Sequence, residues 1–320
     1  MEELIKKYNI DKTFFRRYFR YGAEMLYSCA LQDFLLFKRG KFLNPQKKNQ
    51  YIDEICKNEI ADFYENNKMR LVKVDFDITT KCTLKCKYCS NLMPLFRKNN
   101  KHTEMTFEDF KSDIDTLLNT VSEINVIQII GGEPLLHKDL AKMVDYAASK
   151  DKIKTIKIIT NGTMIPNENL LQTIARYNDK VHFYISNYSK NEKLAPLLKT
   201  EALQNVLKEN NIKFQTMQDL QWDIECPIAD YHYDETQLKQ MFKSCVMATC
   251  LSIINHKLHI CAKSASGFEL GLFEANDFVN LLNNPNLKQD LINFYSKEYF
   301  DVCKYCKRTN TKVLPAEQED

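Results

Sequence analysis

Apolar positions change their spacing twice along this chain. Over residues 1–69 they recur at helical intervals, through Phe14, Phe15, Tyr18 and Phe19, then Met25, Leu26, Leu31, Phe34, Leu35 and Phe37. Gly40 and the Asn44-Pro45 pair close that element, and a second helix is expected over 52–64. From Arg70 to about Met217 extended and helical patterns alternate. Strands are expected over 71–78, 124–130, 153–160, 181–186 and 212–217, with helices over 106–118, 140–148, 168–176 and 197–208. Five strands with intervening helices imply a parallel sheet with right-handed crossovers. Eight such units do not fit, so an α/β fold built on an open, partial barrel is the expectation.

After Met217 the alternation stops. A short helix over 236–242 leads to two apolar runs flanking Asn255-His256, which reads as a β-hairpin with a two-residue turn. A helical region over 277–295 follows. The chain therefore divides into a helical extension (1–69), a partial barrel (70–225) and a small cysteine-rich C-terminal domain (226–320).

Composition narrows the class. A hydrophobic content of 44% and a charged content of 27% describe an ordinary globular protein. A net charge of +3 is too small to imply nucleic acid. The aromatic–arginine run from Phe14 to Tyr21 reads as a helix with buried rings and solvated arginines. The start lacks the apolar core of a signal peptide, and no apolar run approaches membrane-spanning length. A cytoplasmic protein is expected, and in that reducing setting eleven cysteines read as metal ligands rather than disulfides.

Those cysteines fall into groups. Cys82, Cys86 and Cys89 follow the first strand with Cys-x-x-x-Cys-x-x-Cys spacing and no fourth cysteine close by. Zinc normally takes four protein ligands, whereas three thiolates on a cubane leave one iron open to a small molecule. The second group is Cys245, Cys250, Cys261, Cys303 and Cys306. Counting outward from the hairpin turn sets Cys250 across from Cys261, so Cys250, Cys261, Cys303 and Cys306 form the leading ligand set, with Cys245 as fifth candidate. A zinc ribbon explains this second group equally well. Cys29 reads as a small core residue.

The first motif, with Tyr88 before its last cysteine, resembles the signature of the radical S-adenosylmethionine (radical SAM) superfamily. That resemblance implies a partial (β/α)6-type barrel and a [4Fe–4S] cluster on Cys82, Cys86 and Cys89, whose open iron chelates S-adenosylmethionine. Reductive cleavage then gives a 5′-deoxyadenosyl radical that abstracts hydrogen from substrate. Gly131-Gly132-Glu133, after the second strand, takes the family position that meets the methionyl amino group, and its glycines suit close backbone approach. Thr160-Asn161 and Ser186-Asn187 resemble the polar ribose and carboxylate contacts, and Tyr88 the adenine contact. The C-terminal cysteines resemble SPASM and twitch domains, which implies one auxiliary [4Fe–4S] cluster, although His256 stands where the family hairpin usually has glycine.

The resemblance further implies a reductant such as flavodoxin or ferredoxin, with neither membrane nor nucleic acid as partner. A small-molecule substrate, a sugar or nucleotide undergoing oxidation or epimerisation, is the leading expectation. A ribosomally made peptide is the second, and a non-enzymatic zinc-binding scaffold belongs to a different class. Cys226, between the last barrel strand and the hairpin, fits neither ligand group by spacing. It is the candidate thiol for returning hydrogen to a substrate radical at the barrel mouth.

Overall fold

A computed structural model describes residues 1–28, 45–217 and 222–319. Strands β1 (Arg70–Thr79), β2 (Glu123–Gly131), β3 (Ile153–Thr160), β4 (Val181–Ser186) and β5 (Phe214–Met217) lie side by side in the order β5-β4-β3-β2-β1. Each pairs in parallel with its neighbour. Helix α1 (Pro45–Glu65) precedes β1, and α2 (Phe107–Thr120), α3 (Leu140–Ala148), α4 (Glu168–Ala175) and α5 (Thr200–Glu209) connect consecutive strands. The sequence places each crossover through its caps and stripes. Thr106 accepts from the Asp109 amide at 3.1 Å, and Phe110, Ile114, Leu117 and Leu118 form the buried stripe of α2. The Phe110 ring meets that of Phe76 on β1 at 4.9 Å.

The two faces of the sheet differ. Along β1, Val74, Phe76 and Ile78 join the apolar core shared with the helices. Strand alternation sends Lys73, Asp75 and Asp77 to the other face. Gln128 and Ser252 flank Asp75 from the neighbouring strands, and Lys157 stands beside Gln128. Asp75 and Asp77 are only 4% and 2% exposed, so the barrel's inner face is both polar and buried.

The hairpin departs from its expected place in a separate unit. Its first strand, β7 (Ser252–Ile254), pairs in parallel with β1 as a sixth barrel strand. β8 (Lys257–His259) and β9 (Val279–Asn280) extend the same sheet antiparallel. At the turn, Asn255 and His256 both have positive φ, 45° and 59°, as a type I′ turn requires. His256 holds its place by side-chain contacts that glycine lacks. Its Nδ1 meets buried Asp113 of α2 at 2.7 Å, and its Nε2 meets Asp109 at 3.3 Å. A separate two-stranded ribbon pairs β6 (Trp222–Glu225) with β10 (Arg308–Val313).

At the N-terminus, Phe14, Tyr18 and Phe19 pack with Phe63 of α1. The segment Phe15–Arg20 is wound as a π-helix. Its arginines are not all solvated as expected. Arg17 donates to the carbonyls of Phe294 and Lys297 at 2.7 and 3.0 Å, beside helix α8 (Leu287–Ser296), and lies over the rings of Phe242 and Phe300. Cys29, Leu31, Phe34, Leu35, Phe37 and Gly40 lie outside the described residues. Among the described residues no helix is long and apolar enough to cross a membrane.

Candidate active site

β1 ends at Thr79, and the loop beyond it carries Cys82, Cys86 and Cys89. All three line one cavity of about 300 Å³ at the strands' C-terminal ends, together with Gly131, Gly132, Thr160, Asn161 and Ser186. Gln128, Tyr184 and Trp222 also line it. Three thiols around a cavity wider than a single ion fit a cubane with room for a second ligand. Burial pushes the Cys86 thiol up to about 12 and the Cys89 thiol up to about 11. Such thiols stay protonated until a cation replaces the proton.

The loop is held by close backbone packing. The Gly132 amide donates to the Thr79 carbonyl at 2.7 Å, and the Glu133 amide to the Lys81 carbonyl at 2.8 Å. A Cβ on Gly132 would stand 2.0 Å from the Lys81 carbonyl oxygen and 3.0 Å from the Cys82 Cβ. Gly131, at φ +138°, would place its Cβ 2.2 Å from the Thr79 oxygen. The two glycines are therefore needed first to seat the cysteine loop.

Several expected contacts fall elsewhere. Glu133 does not line the cavity. Its fully buried carboxylate accepts from Thr160 Oγ1 and the Asn161 amide, both at 2.9 Å, and from the Leu135 amide at 3.1 Å. It braces the end of β2 to the end of β3, and burial raises it to about 7. Asn187 and Tyr88 are also outside the cavity lining. The Asn187 side chain accepts from the Ser189 amide at 3.0 Å, closing a turn. Asn161 faces the cysteine loop, donating to Thr83 Oγ1 at 3.0 Å and to Cys82 Sγ at 3.6 Å.

Two features escaped the sequence reading. The first is the C-terminal tail, which straps the cysteine loop. Gln318 forms an antiparallel bridge with Cys86, Lys87 donates to the Glu317 carbonyl at 2.6 Å, and Glu319 to the Lys85 carbonyl at 2.8 Å. Gln318 Nε2 donates to Cys86 Sγ at 3.5 Å. Nothing local in a polar tail signals a partner over 200 residues away. The second is the polar inner face, and here a signal existed. Charges at alternate positions of β1 are unexpected in a strand whose parallel neighbours bury both faces.

The second cysteine group meets around a cavity of about 50 Å³ lined by Cys245, Cys261, Cys303 and Cys306. Cys250 is not among its lining residues and accepts instead from Lys73 Nζ at 3.3 Å. This corrects the leading set, for two reasons. The hairpin ladder ends at Ser252 opposite His259, so Cys250 and Cys261 are not a cross-strand pair. Cys261 instead caps helix α7 (Ala262–Leu270), its Sγ accepting from the Ser264 amide at 3.4 Å. Cys250 shares strand parity with Ser252 and follows it to the inner face. Among the described residues no three His, Cys, Asp or Glu side chains close on a single metal ion. Ser90, next to Cys89, lines both cysteine cavities.

Cys226 lines neither cavity. The ribbon residue at the larger cysteine cavity is Trp222, edge-on to Tyr188 with ring centroids 5.7 Å apart. Four residues of extended chain, ~13 Å, separate Trp222 from Cys226. The cavity lining therefore lends no support to a hydrogen-donor role for Cys226. If Cys245 rather than Cys250 holds metal, Cys245→Ser purified anaerobically loses about half the iron. Cys250→Ser then keeps it all, and equal losses in both variants would sink the assignment.

Residues 76–211 match the sequence profile of the Radical SAM superfamily. The S-adenosylmethionine-dependent nucleotide dehydratase of Selenomonas ruminantium is 38% identical over 99 residues, covering 31% of this chain and 33% of that protein. The antilisterial bacteriocin subtilosin biosynthesis protein AlbA of Bacillus subtilis is 29% identical over 119 residues, covering 37% of this chain and 25% of that protein. Among solved structures, native anSMEcpe with bound AdoMet aligns at a TM-score of 0.48 and 15% identity, covering 73% of this chain and 84% of that one. The chain thus spans a third or less of the length of these two curated relatives. With the three-cysteine loop and Gly131-Gly132-Glu133 both inside the matched region, the chain carries a radical SAM domain over residues 76–211.

Proposed function

We propose that this chain is a radical SAM enzyme that abstracts hydrogen from a small polar molecule held against the inner face of the barrel. Cys82, Cys86 and Cys89 would hold the [4Fe–4S] cluster, and the cavity bounded by Gly131, Gly132, Thr160, Asn161 and Ser186 would take S-adenosylmethionine. When bound, these groups supply hydrogen-atom abstraction, with electrons from a reductant such as flavodoxin or ferredoxin. The side-chain amides of Asn161 and Gln318, directed at Cys82 and Cys86, would help set the cluster's potential. Cys245, Cys261, Cys303 and Cys306 would hold one auxiliary cluster.

The observation that carries the substrate class is the inner face beside that cavity. Asp77 Oδ1 accepts from Asn91 Nδ2 at 2.7 Å and Ser252 stands beside Asp77 as a second donor, but Asp75 Oδ1 has no hydrogen-bond partner among the described residues. Buried acceptors without donors are costly unless a ligand supplies the donors. Hydroxyls or an amine of a sugar or nucleotide would do so, and Gln128, Tyr184 and Ser252 suit the same chemistry.

Burial raises Asp75 to about 6 and Asp77 to about 7. Both folded values exceed the unfolded one, so this contribution to stability is present below about pH 4 and lost as pH rises through 6–7. Asp77→Asn should therefore exceed wild type in urea-unfolding stability at pH 8 by about 1 kcal/mol or more, the gap closing at pH 4. An unchanged difference across that range would show that Asp77 is not buried as described.

The functional test measures 5′-deoxyadenosine formed by the reduced enzyme with pools of nucleotides, sugars or short peptides. Stimulation by a sugar or nucleotide pool, lost in Asp77→Asn while unstimulated turnover persists, is expected. Stimulation by peptides alone would move the reading to a peptide maturase.

A further inference from the structure

A third cavity, of about 160 Å³, lies between the π-helical segment, the start of β1 and helix α6 (Glu235–Lys243). Lys73, its lining residue nearest the loop along β1, is six residues before Thr79, ~20 Å along the strand. Among the described residues its lining includes Arg16, Arg17, Arg70, Lys73 and Lys243, and no carboxylate. Two of these charges are already matched. Arg70 pairs with Glu59 and Glu123, and Lys73 lies 4.0 Å from Asp75. The other three are not: among the described residues no acidic side chain pairs with Arg16, Arg17 or Lys243.

Arg17 is the telling group. Its Nη1 is spent on the carbonyls of Phe294 and Lys297, while its Nη2 is buried with no hydrogen-bond partner. A buried guanidinium nitrogen without an acceptor is costly. The Arg17 guanidinium carbon lies 5.0 Å from the Phe242 ring centre and 5.1 Å from that of Phe300, and no carboxylate among the described residues neutralises it. Exposed Arg16 and Lys243 supply two further cations at the same cavity. Phe14, Tyr18 and Phe19 are buried, so this surface is no stacking platform for a nucleic-acid strand. A half-open site walled by cations suits a small anionic ligand.

We propose that this cavity binds the phosphoryl group of a phosphorylated small molecule, at a site separate from the radical chemistry. Cys245, Phe242 and Ala248 line both this cavity and the auxiliary cysteine cavity, so the ligand would rest against the far side of that wall.

The test uses the full chain purified anaerobically, with inorganic pyrophosphate and inorganic phosphate as probes in isothermal titration calorimetry. One saturable pyrophosphate site per chain is expected. Arg16→Gln with Lys243→Gln should weaken it by about tenfold per cation removed. A control pair, Lys57→Gln with Lys208→Gln, removes the same charge from exposed helix positions and should leave affinity within about twofold. Because Arg16 and Lys243 are exposed, both pairs should keep the wild-type circular dichroism. Absence of saturable binding to wild type, or equal weakening in the control pair, would overturn the proposal.

Discussion

Replacing Cys82, Cys86 and Cys89 together by Ala should remove about half of roughly eight irons per chain and all cleavage of S-adenosylmethionine. The remaining iron should stay with the C-terminal group, whose cavity is built from Cys245, Cys261, Cys303 and Cys306. The fold should survive the change. The loop is also fixed by Arg97 Nη2 donating to the Cys82 carbonyl at 2.7 Å and by the backbone bridge to Gln318. Iron, sulfide and 5′-deoxyadenosine assays check this, and full cleavage by the triple variant would end the reading.

Gly132→Val should be nearly as severe, and for a reason the sequence alone did not supply. A side chain there meets the Lys81 carbonyl and the Cys82 Cβ before it meets any ligand, so the cysteine loop itself must move. The variant should lose iron from the first site and S-adenosylmethionine binding together. Its auxiliary iron should remain, because among the described residues Ser90 alone is common to the linings of the two cysteine cavities. Loss of S-adenosylmethionine binding with iron content intact would instead indicate that Gly132 faces only the ligand.

Much of the barrel was legible because its signals are local. Alternating apolar runs located the five strands, and Thr106 and Asp109 announced the start of α2. The three-cysteine spacing and the glycine pair lie within short windows at strand ends, and the structure brings both to one cavity. What failed depended on direction or on distance. Whether Cys245 or Cys250 joins Cys261 turns on strand parity, and parity requires knowing that β7 pairs with β1. The extent of the ladder mattered too, since Cys261 leaves the hairpin to cap a helix. Glu133 stands in the expected run, but its carboxylate turns to three donors in the framework. The strap from Ala316 to Glu319 pairs with a loop more than 200 residues earlier, a contact with no periodicity to betray it. His256 was visible as a departure, and its compensation by Asp113 and Asp109 needed the packing of the hairpin on α2.

On this reading the loop after β1 holds an iron–sulfur cluster that acts on S-adenosylmethionine. The most direct measurement combines metal and sulfide analysis of the anaerobically purified chain with 5′-deoxyadenosine formation under dithionite. Iron and acid-labile sulfide are expected in near-equal amounts, about eight of each per chain, with 5′-deoxyadenosine appearing only with reductant. Zinc in place of iron, without sulfide and without 5′-deoxyadenosine, would contradict it.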